Sequence, residues 1–367
     1  MVDLKNNRPK IVIKVGTQAI LSEKGEILES TLASIVRQII TLQQKGVHVV
    51  LVSSGAVGSG RRVARNAFGR EYGHSIAEKQ VLASIGQPEL MQTYSTLLQK
   101  YHVLAAQLLL TKQDFQTRAH YLNIARIFQE ILSHQNILPI VNENDSVAVE
   151  ELMFTDNDEL AALISTQINA DKLIVLTTVK GVYDLDPTDP AATVIPVINP
   201  DDKWQKISTT KSPHGRGGMI SKLSSARKMS DLGVTTHIVH VNEEDVILRL
   251  MNNESIGTTV LPFKKKSNVK RWMAFHYHKN NACIHINAQL YELMQDRLKA
   301  RSILPVGIVK YSGEFEKGDL IDILAPNGQK IGVGLAKYGH ESLKEYLGKN
   351  NKPAFIHYDH LYIEKLG

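Results

Sequence analysis

Near its start the chain reads Ile11-Val12-Ile13-Lys14-Val15-Gly16-Thr17. A short, nearly continuous β-branched run is typical of a strand that is buried on both faces. Lys14 interrupts this run, and burying an unpaired ammonium group is costly. The stretch therefore predicts a central strand that ends at a charged turn, although a lysine at a strand end can also simply extend to solvent.

Runs of the same kind recur along residues 1–262 and alternate with longer segments whose apolar residues repeat at helical spacing. This alternation predicts an α/β fold, namely a three-layer αβα sandwich with a mostly parallel central sheet. The predicted strands cover residues 11–15, 47–52, 103–109, 137–141, 172–177 and 235–239. Besides a helix between the first two strands, the predicted helices cover residues 88–100, 117–134, 157–169 and 218–232.

The pattern changes near three consecutive lysines at 264–266. We therefore predict a first domain over residues 1–262, a linker over 263–269 and a second domain over 270–367. In the second domain, short alternating strands are expected at residues 303–310, 320–324 and 330–337, with a turn at Asn327-Gly328. This pattern predicts a small β-barrel.

Composition narrows the class of protein. The apolar fraction of 43% and the charged fraction of 22% are those of an ordinary globular protein. No run approaches the ~20 apolar residues of a membrane helix, and the first ten residues do not resemble a secretory signal. Cys283 is the only cysteine, which excludes an internal disulfide and fits a reducing cytoplasm.

The net charge of +6 is unevenly distributed, because residues 263–367 carry 17 Lys and Arg against 10 Asp and Glu. Such an excess suits a polyanion such as RNA, but lysine-rich surfaces are more often simply solvated. Both readings stay open from the sequence.

Ligands on open parallel sheets bind beyond the carboxyl ends of the strands. Polar or glycine-rich segments follow these ends at 14–17, 53–58, 142–145 and 177–181, and two more such segments, 156–158 and 215–222, lead into helices. Two of them are glycine turns that enter helices, and such turns suit a phosphate or a carboxylate. Neither has the spacing of a P-loop or of a dinucleotide-binding turn.

The types of polar residue in these segments also indicate which reaction the site would catalyse. No histidine or carboxylate is obviously placed to deprotonate an alcohol, and a carboxylate acceptor needs no such base. The obstacle is then electrostatic, and Lys14 and Lys222 would offset the charge that spreads over a phosphoryl group during transfer. Asp145, Asp156 and Asp158 could orient these lysines, hold Mg²⁺ or bind a substrate amine, while acids at a helix start can also be ordinary caps.

At these residues the chain resembles the glutamate 5-kinases of the amino acid kinase superfamily. The resemblance rests on Lys14-Val15-Gly16-Thr17, Ser53-Ser54-Gly55-Ala56, Asn142-Glu143-Asn144-Asp145, Asp156-Asn157-Asp158 and Gly217-Gly218-Met219 with Lys222. Residues from about 270 to 367 are similar to the PUA domain that many bacterial members carry, through Leu304-Pro305-Val306-Gly307-Ile308 and Phe315-Glu316-Lys317-Gly318-Asp319.

The resemblance implies ATP-dependent phosphorylation of the side-chain carboxylate of L-glutamate, the first step of proline biosynthesis. It implies that Lys14 and Lys222 stabilise the transferring group and that Asp158 orients them. Glutamate would be bound by Ser54, Asp145 and Asn157. The ATP site would be formed by Lys14, Thr177, Thr178, Arg216, Gly217, Gly218, Met219 and Lys222. It further implies Mg²⁺ carried by ATP rather than by a protein metal site, a homo-oligomer formed through the kinase domain, and feedback inhibition by proline.

Two alternatives remain. The same chemistry could act on another carboxylate, as in N-acetylglutamate kinase or aspartokinase, although Asp145 favours a substrate with a free amine. Alternatively, the chain could work chiefly as an RNA-binding protein through its basic C-terminal domain. Acidic residues are interleaved with the basic ones there, which is less typical of a nucleic-acid surface.

Overall fold

The computed structural model describes residues 8–69, 72–73, 75–115, 118–147, 154, 156–202, 219–263, 273, 282–295 and 301–363. The chain divides into two compact units, Met1–Lys265 and Lys266–Gly367. Of the expected linker at 263–269, only Phe263 lies within the described residues. The boundaries at 262 and 270 therefore stay a prediction.

The first unit is built on an eight-stranded sheet with the strand order β3-β4-β2-β1-β5-β7-β8-β6. Its pairs are all parallel except β7 with β8, so the predicted mostly parallel sheet is confirmed. The strands are β1 Lys10–Val15, β2 His48–Val52, β3 Leu104–Leu110, β4 Ile137–Glu143, β5 Lys172–Thr177, β6 Val197–Ile198, β7 Thr235–His240 and β8 Thr258–Val260. Only the short strands β6 and β8 have no counterpart among the predicted strands.

Helices cover both faces of this sheet. They are α1 Thr17–Ile20, α2 Glu29–Gln44, α3 Ala56–Phe68, α4 Ile76–Gln99, α5 Arg118–Ser133, α6 Asn157–Gln167, α7 Met219–Asp231 and α8 Val246–Met251. On one face α2, α4 and α8 pack with alternate residues of β1 in a single apolar core. Helix α6 contacts β1, β5 and both α5 and α7, which form the opposite layer. Among the described helices, none is long and apolar enough to cross a membrane.

Helix α4 begins twelve residues earlier than the sequence pattern indicates. The predicted start at Pro88 is wrong, because Pro88 lies inside the helix. The true start is a capping box, in which Ser75 and Glu78 satisfy each other's backbone N–H groups. Proline is most common in the first turn of a helix, and Pro88 is an exception.

Helices α3 and α4 cross at two glycines with almost no space between their backbones. A Cβ atom on Gly60 would lie 1.8 Å from the carbonyl oxygen of Leu82. A Cβ atom on Gly86 would lie 1.9 Å from that of Ala56. The crossing therefore requires glycine on both helices, and it fixes the residues after Gly86 relative to the start of α3.

The second unit contains a five-stranded sheet with the order β10-β9-β11-β12-β13. Its elements are β9 Cys283–Ile286, α9 Ala288–Gln295, β10 Ile308–Ser312, β11 Leu320–Leu324, β12 Lys330–Leu335, α10 His340–Tyr346 and β13 Leu361–Ile363. The turn at Asn327-Gly328 joins β11 to β12, with Gly328 at a φ of +82°. The predicted strand at 303–310 is wrong in its first half, where Pro305 opens a short 3-10 helix instead.

Candidate active site

The carboxyl ends of four strands meet at one edge of the first sheet. Strands β4, β2, β1 and β5 are consecutive neighbours and all run parallel. Their register aligns Lys14 with Val52, and Val52 with Val141. Ser53 and Asn142 therefore follow the same sheet edge as Lys14, which explains how segments far apart in sequence meet.

Strand alternation sets the direction of Lys14. Ile11, Ile13 and Val15 pack into the core with α2 and α4. Because successive side chains point to opposite faces, Lys14 lies on the other face, which α6 covers. The lysine is only 4% exposed, so it does not extend to solvent at the strand end.

A buried ion triad holds the ammonium group of Lys14. Its Nζ atom lies 2.6 Å from Oδ1 of Asp158, and Nζ of Lys222 lies 2.9 Å from Oδ2 of the same carboxylate. Asp158 is 1% exposed and Lys222 is 9% exposed. Two ammonium groups thus share one carboxylate in a nearly solvent-free site, and two fixed positive charges suit an anionic ligand.

The charge of Asp158 follows from this pairing. Burial alone would raise the pKa of its carboxyl group, but the charges of Lys14 and Lys222, and the hydrogen bonds from both, outweigh burial and lower it. Asp158 is therefore ionised at neutral pH and can hold both lysines.

Asp156 acts as the N-cap of α6. Its Oδ1 atom accepts hydrogen bonds from the backbone N–H of Asp158, at 2.9 Å, and of Glu159, at 3.2 Å. Burial and the neighbouring charge of Asp158 raise the pKa of Asp156. Of the roles that the sequence allows for Asp156, the structure shows the capping one.

Asn157 links the ends of two strands, β2 and β4, through its amide. The Nδ2 atom donates to the carbonyl oxygen of Ser53 and to Oγ of Ser54, both at 2.8 Å, and it lies 2.9 Å from Oδ1 of Asn142. Asn142 in turn donates from Nδ2 to Oε1 of Gln87, at 2.8 Å. A buried polar network therefore joins β2, β4, α4 and α6 at the same edge.

The turn after Ser54 prepares an anion-binding helix start. Gly55 has a φ of +105°, a left-handed conformation that favours glycine, and α3 begins directly after it. Because the N-cap residue Gly55 has no side chain, it provides no side-chain cap for the first backbone N–H groups of α3. Such groups, together with the helix dipole, suit a negatively charged ligand.

The other predicted site residues differ in their position in the fold and in their burial. Thr177 is buried at the end of β5, Thr178 is exposed just beyond it, and Met219 opens α7. Asp145 lies half-buried in the turn after β4. Arg216, Gly217 and Gly218 lie outside the described residues. The structure thus brings Lys14, Lys222 and Asp158 together and joins Ser54 to Asn157, while the roles of all these residues stay predictions.

Sequence reasoning missed two members of the polar network, Asn142 and Gln87. Asn142 was part of a recognised motif but had no role of its own. Gln87 directly precedes Pro88 and was placed outside the predicted helix. The capping pattern of Ser75 and Glu78 would have brought Gln87 into α4.

Comparisons of the sequence with known families and with known protein sequences agree on one family. The model of the amino acid kinase family matches residues 9–240, and that of the PUA domain matches residues 292–353. A glutamate 5-kinase from Bacteroides thetaiotaomicron is 37% identical over 98% of this chain and 100% of its own length. One from Chlorobaculum tepidum is 39% identical over 96% of this chain and 97% of its own length. Among solved structures, the UMP kinase from Bacillus anthracis aligns with a TM-score of 0.49 at 17% identity, covering 70% of this chain and 98% of that chain.

Proposed function

Since the chain belongs to the glutamate 5-kinases of the amino acid kinase family, we propose that Lys14 and Lys222 stabilise a phosphoryl group as it moves from ATP to the side-chain carboxylate of glutamate. One observation carries this assignment of roles. The two oxygens of Asp158 each bind one of these lysines, so both ammonium groups are held side by side in a buried site.

The pairing has a direct chemical use. A carboxylate that attacks the terminal phosphate of ATP must approach a polyanion, and no proton has to be removed from it. Positive charge that is already fixed in place, away from water, stabilises the charge that spreads over the transferring group. The negative charge of Asp158 offsets the repulsion between the two ammonium groups and sets their positions. It does not need to accept a proton.

Glutamate would bind beside the triad, at the ends of β2 and β4. Ser54 and Asn157 are hydrogen-bonded to each other, which fixes one wall of this site. We assign Asp145 to the α-ammonium group of glutamate, because a carboxylate is the natural partner of a free amine. The backbone N–H groups at the start of α3 suit a carboxylate of the substrate.

The nucleotide would lie on the side of β5 and α7. Lys14 and Lys222 suit its phosphates, and Thr177, Thr178 and the segment from Arg216 to Met219 would line the rest of the site. Within the described residues, no group of three or more His, Cys, Asp or Glu side chains could hold a metal ion. We assign Mg²⁺ to the phosphates of ATP, where it would neutralise part of their charge.

Regulation and assembly complete the proposal. We assign proline as a feedback inhibitor that acts near the glutamate site, a homo-oligomer to the kinase unit, and a cytoplasmic location to the whole chain. A second candidate function, RNA binding by the C-terminal part of the chain, is favoured by the 17 basic residues against 10 acidic ones in residues 263–367. That function predicts an RNA affinity that falls steeply with salt and survives the loss of Lys14.

A hydroxamate trap for acyl phosphates tests the main proposal. Purified full-length protein with ATP, Mg²⁺ and glutamate should yield glutamyl hydroxamate, and added proline should reduce the yield. Parallel reactions with N-acetylglutamate and aspartate test the two rival substrates. A clear preference for either of them, or no trapped product with glutamate, would overturn the assignment.

A further inference from the structure

Asn142, Asn157 and Gln87 form a chain of three side-chain amides behind the glutamate site. An amide can be turned by half a rotation, which exchanges its donor and acceptor ends. The orientation of each member therefore decides whether the site offers a donor or an acceptor to the substrate. Two backbone groups of fixed polarity, on Ser53 and Glu143, settle that orientation here.

The first fixed group is the carbonyl oxygen of Ser53. It accepts a hydrogen bond from Nδ2 of Asn157 at 2.8 Å and can never donate one. The second is the backbone N–H of Glu143, which donates to Oδ1 of Asn142 at 2.9 Å. With both polarities set, Nδ2 of Asn157 points inward, while Oδ1 of Asn142 accepts from it.

Gln87 completes this chain from the opposite end. Oδ1 of Asn142 is held by two donors, so its Nδ2 atom needs an acceptor, and Oε1 of Gln87 provides one at 2.8 Å. Asn142 is 2% exposed and Gln87 is 8% exposed, so water is a poor substitute for this bond. Gln87 is itself held in place, because it follows Gly86 at the close crossing of α3 and α4.

The Oδ1 atom forms the other end of the Asn157 amide. Within the described part of the chain, Oδ1 of Asn157 accepts no hydrogen bond, and the residue is only partly buried. Because Nδ2 is used by Ser53, Ser54 and Asn142, the atom that remains for a ligand is an acceptor. The α-ammonium group of an amino acid is a donor and matches it.

We propose that Gln87 is a positioning residue that, through Asn142, holds Asn157 with its Oδ1 atom toward the substrate, and that this acceptor selects substrates with a free ammonium group. The inference rests on the proposed glutamate site. It adds Gln87 on α4 to the residues that shape this site. It also gives a physical reason why a substrate with a free amine would be preferred to one without. Gln87 itself does not touch the substrate in this arrangement.

Two replacements at position 87 test the chain of amides. Gln87→Met keeps the length of the side chain but removes the acceptor, and it should raise KM for glutamate about tenfold while KM for ATP stays unchanged. Gln87→Glu keeps an acceptor for Asn142, and its KM for glutamate should stay within about threefold of the wild-type value. Gln92→Met, an exposed position on the same helix, is the matched control and should leave both KM values unchanged.

Glutarate is glutamate without its amine. Comparing the two substrates gives a measure of amine selectivity that a simple loss of packing would not change. The ratio of kcat/KM for glutamate to that for glutarate should fall about tenfold in Gln87→Met and remain near the wild-type value in Gln87→Glu. Thermal unfolding of each variant checks that the protein is folded. Equal loss on both substrates, or equal KM changes for ATP and glutamate, would overturn the role of Gln87.

The double variant tests the polarity directly. In Asn142→Asp the side chain can only accept, and Gln87 can turn to donate to it. Adding Gln87→Glu would then place two carboxylates face to face, so the combined loss should exceed the product of the two single losses. Simple multiplication of the single effects would refute the contact. Failure of the wild type to use glutamate would instead refute the proposed function and leave the hydrogen-bond chain standing.

Discussion

Lys222 donates a hydrogen bond of 2.9 Å to Oδ2 of Asp158 and thereby ties the first turn of α7 to the first turn of α6. Both partners are buried. Because the other oxygen of the same carboxylate binds Lys14 on β1, one acid connects three elements of the fold. The position of the lysine on α7 thus depends on a residue that is 64 positions away in the sequence.

Replacing Lys222 by alanine should lower kcat by at least a hundredfold, since charge stabilisation acts mainly in the transition state. KM for glutamate should change less than about threefold. Steady-state kinetics with both substrates varied measure the two effects. Lys45→Ala removes an exposed lysine in the same unit and serves as the control. Unchanged turnover with weakened glutamate binding would contradict the role given to Lys222.

Asp158→Asn should abolish most of the activity and lower the stability of the first unit by about 3 kcal/mol, because it leaves two buried ammonium groups without their counter-ion. ATP binding should not weaken, since positive charge at the site increases. Calorimetric titration with a non-hydrolysable ATP analogue and urea unfolding separate the two effects. Asp201→Asn, at an exposed position, is the control. A variant that unfolds like the wild type would argue against the buried triad.

Asp145→Ala should mainly raise the KM for glutamate, by about tenfold or more, because the substrate ammonium group loses a charged partner. The KM for ATP should remain close to that of the wild type. Initial-rate measurements over a wide glutamate range check this expectation. Unaltered dependence on glutamate would remove Asp145 from the substrate site.

The sequence alone predicted the strands of the sheet well, and it pointed to Lys14 and Lys222, which the structure places against the same carboxylate. Strands such as β1 and β5 are buried on both faces and therefore carry nearly continuous apolar runs. Lys14 stood out because it breaks such a run. Since parallel strands end at one edge, the sequence also indicated which polar segments would meet.

The hydrogen-bond partners could not be predicted in the same way. The contact between Asn142 and Gln87 joins positions 55 residues apart, and no local periodicity marks it. Pro88 suggested a helix start and so hid the first part of α4. Pro305 produced a 3-10 turn where alternation suggested a strand. The capping box at Ser75 outweighed the usual place of proline at a helix start, and the fixed φ of Pro305 outweighed the alternating pattern around it.

His237 on β7 should make the stability of the first unit depend on pH. Its ring is buried, with Nδ1 3.1 Å from Oγ1 of Thr259. Burial, and secondarily the charge of Lys172, lower the pKa of His237 from 6.5 to about 4. The unfolded chain therefore binds a proton first as the pH falls.

The sign and the size of this effect follow from the two pKa values. The contribution of neutral His237 to stability is complete above pH 6.5 and is lost as the pH falls toward about 4, by up to roughly 3 kcal/mol. Urea midpoints measured from pH 7.5 to pH 4.5 should fall more steeply for the wild type than for His237→Gln, which cannot gain this proton. His134→Gln, at an exposed histidine, should follow the wild-type slope. Parallel curves for the wild type and His237→Gln would show that the buried ring does not control the acid sensitivity of the sheet.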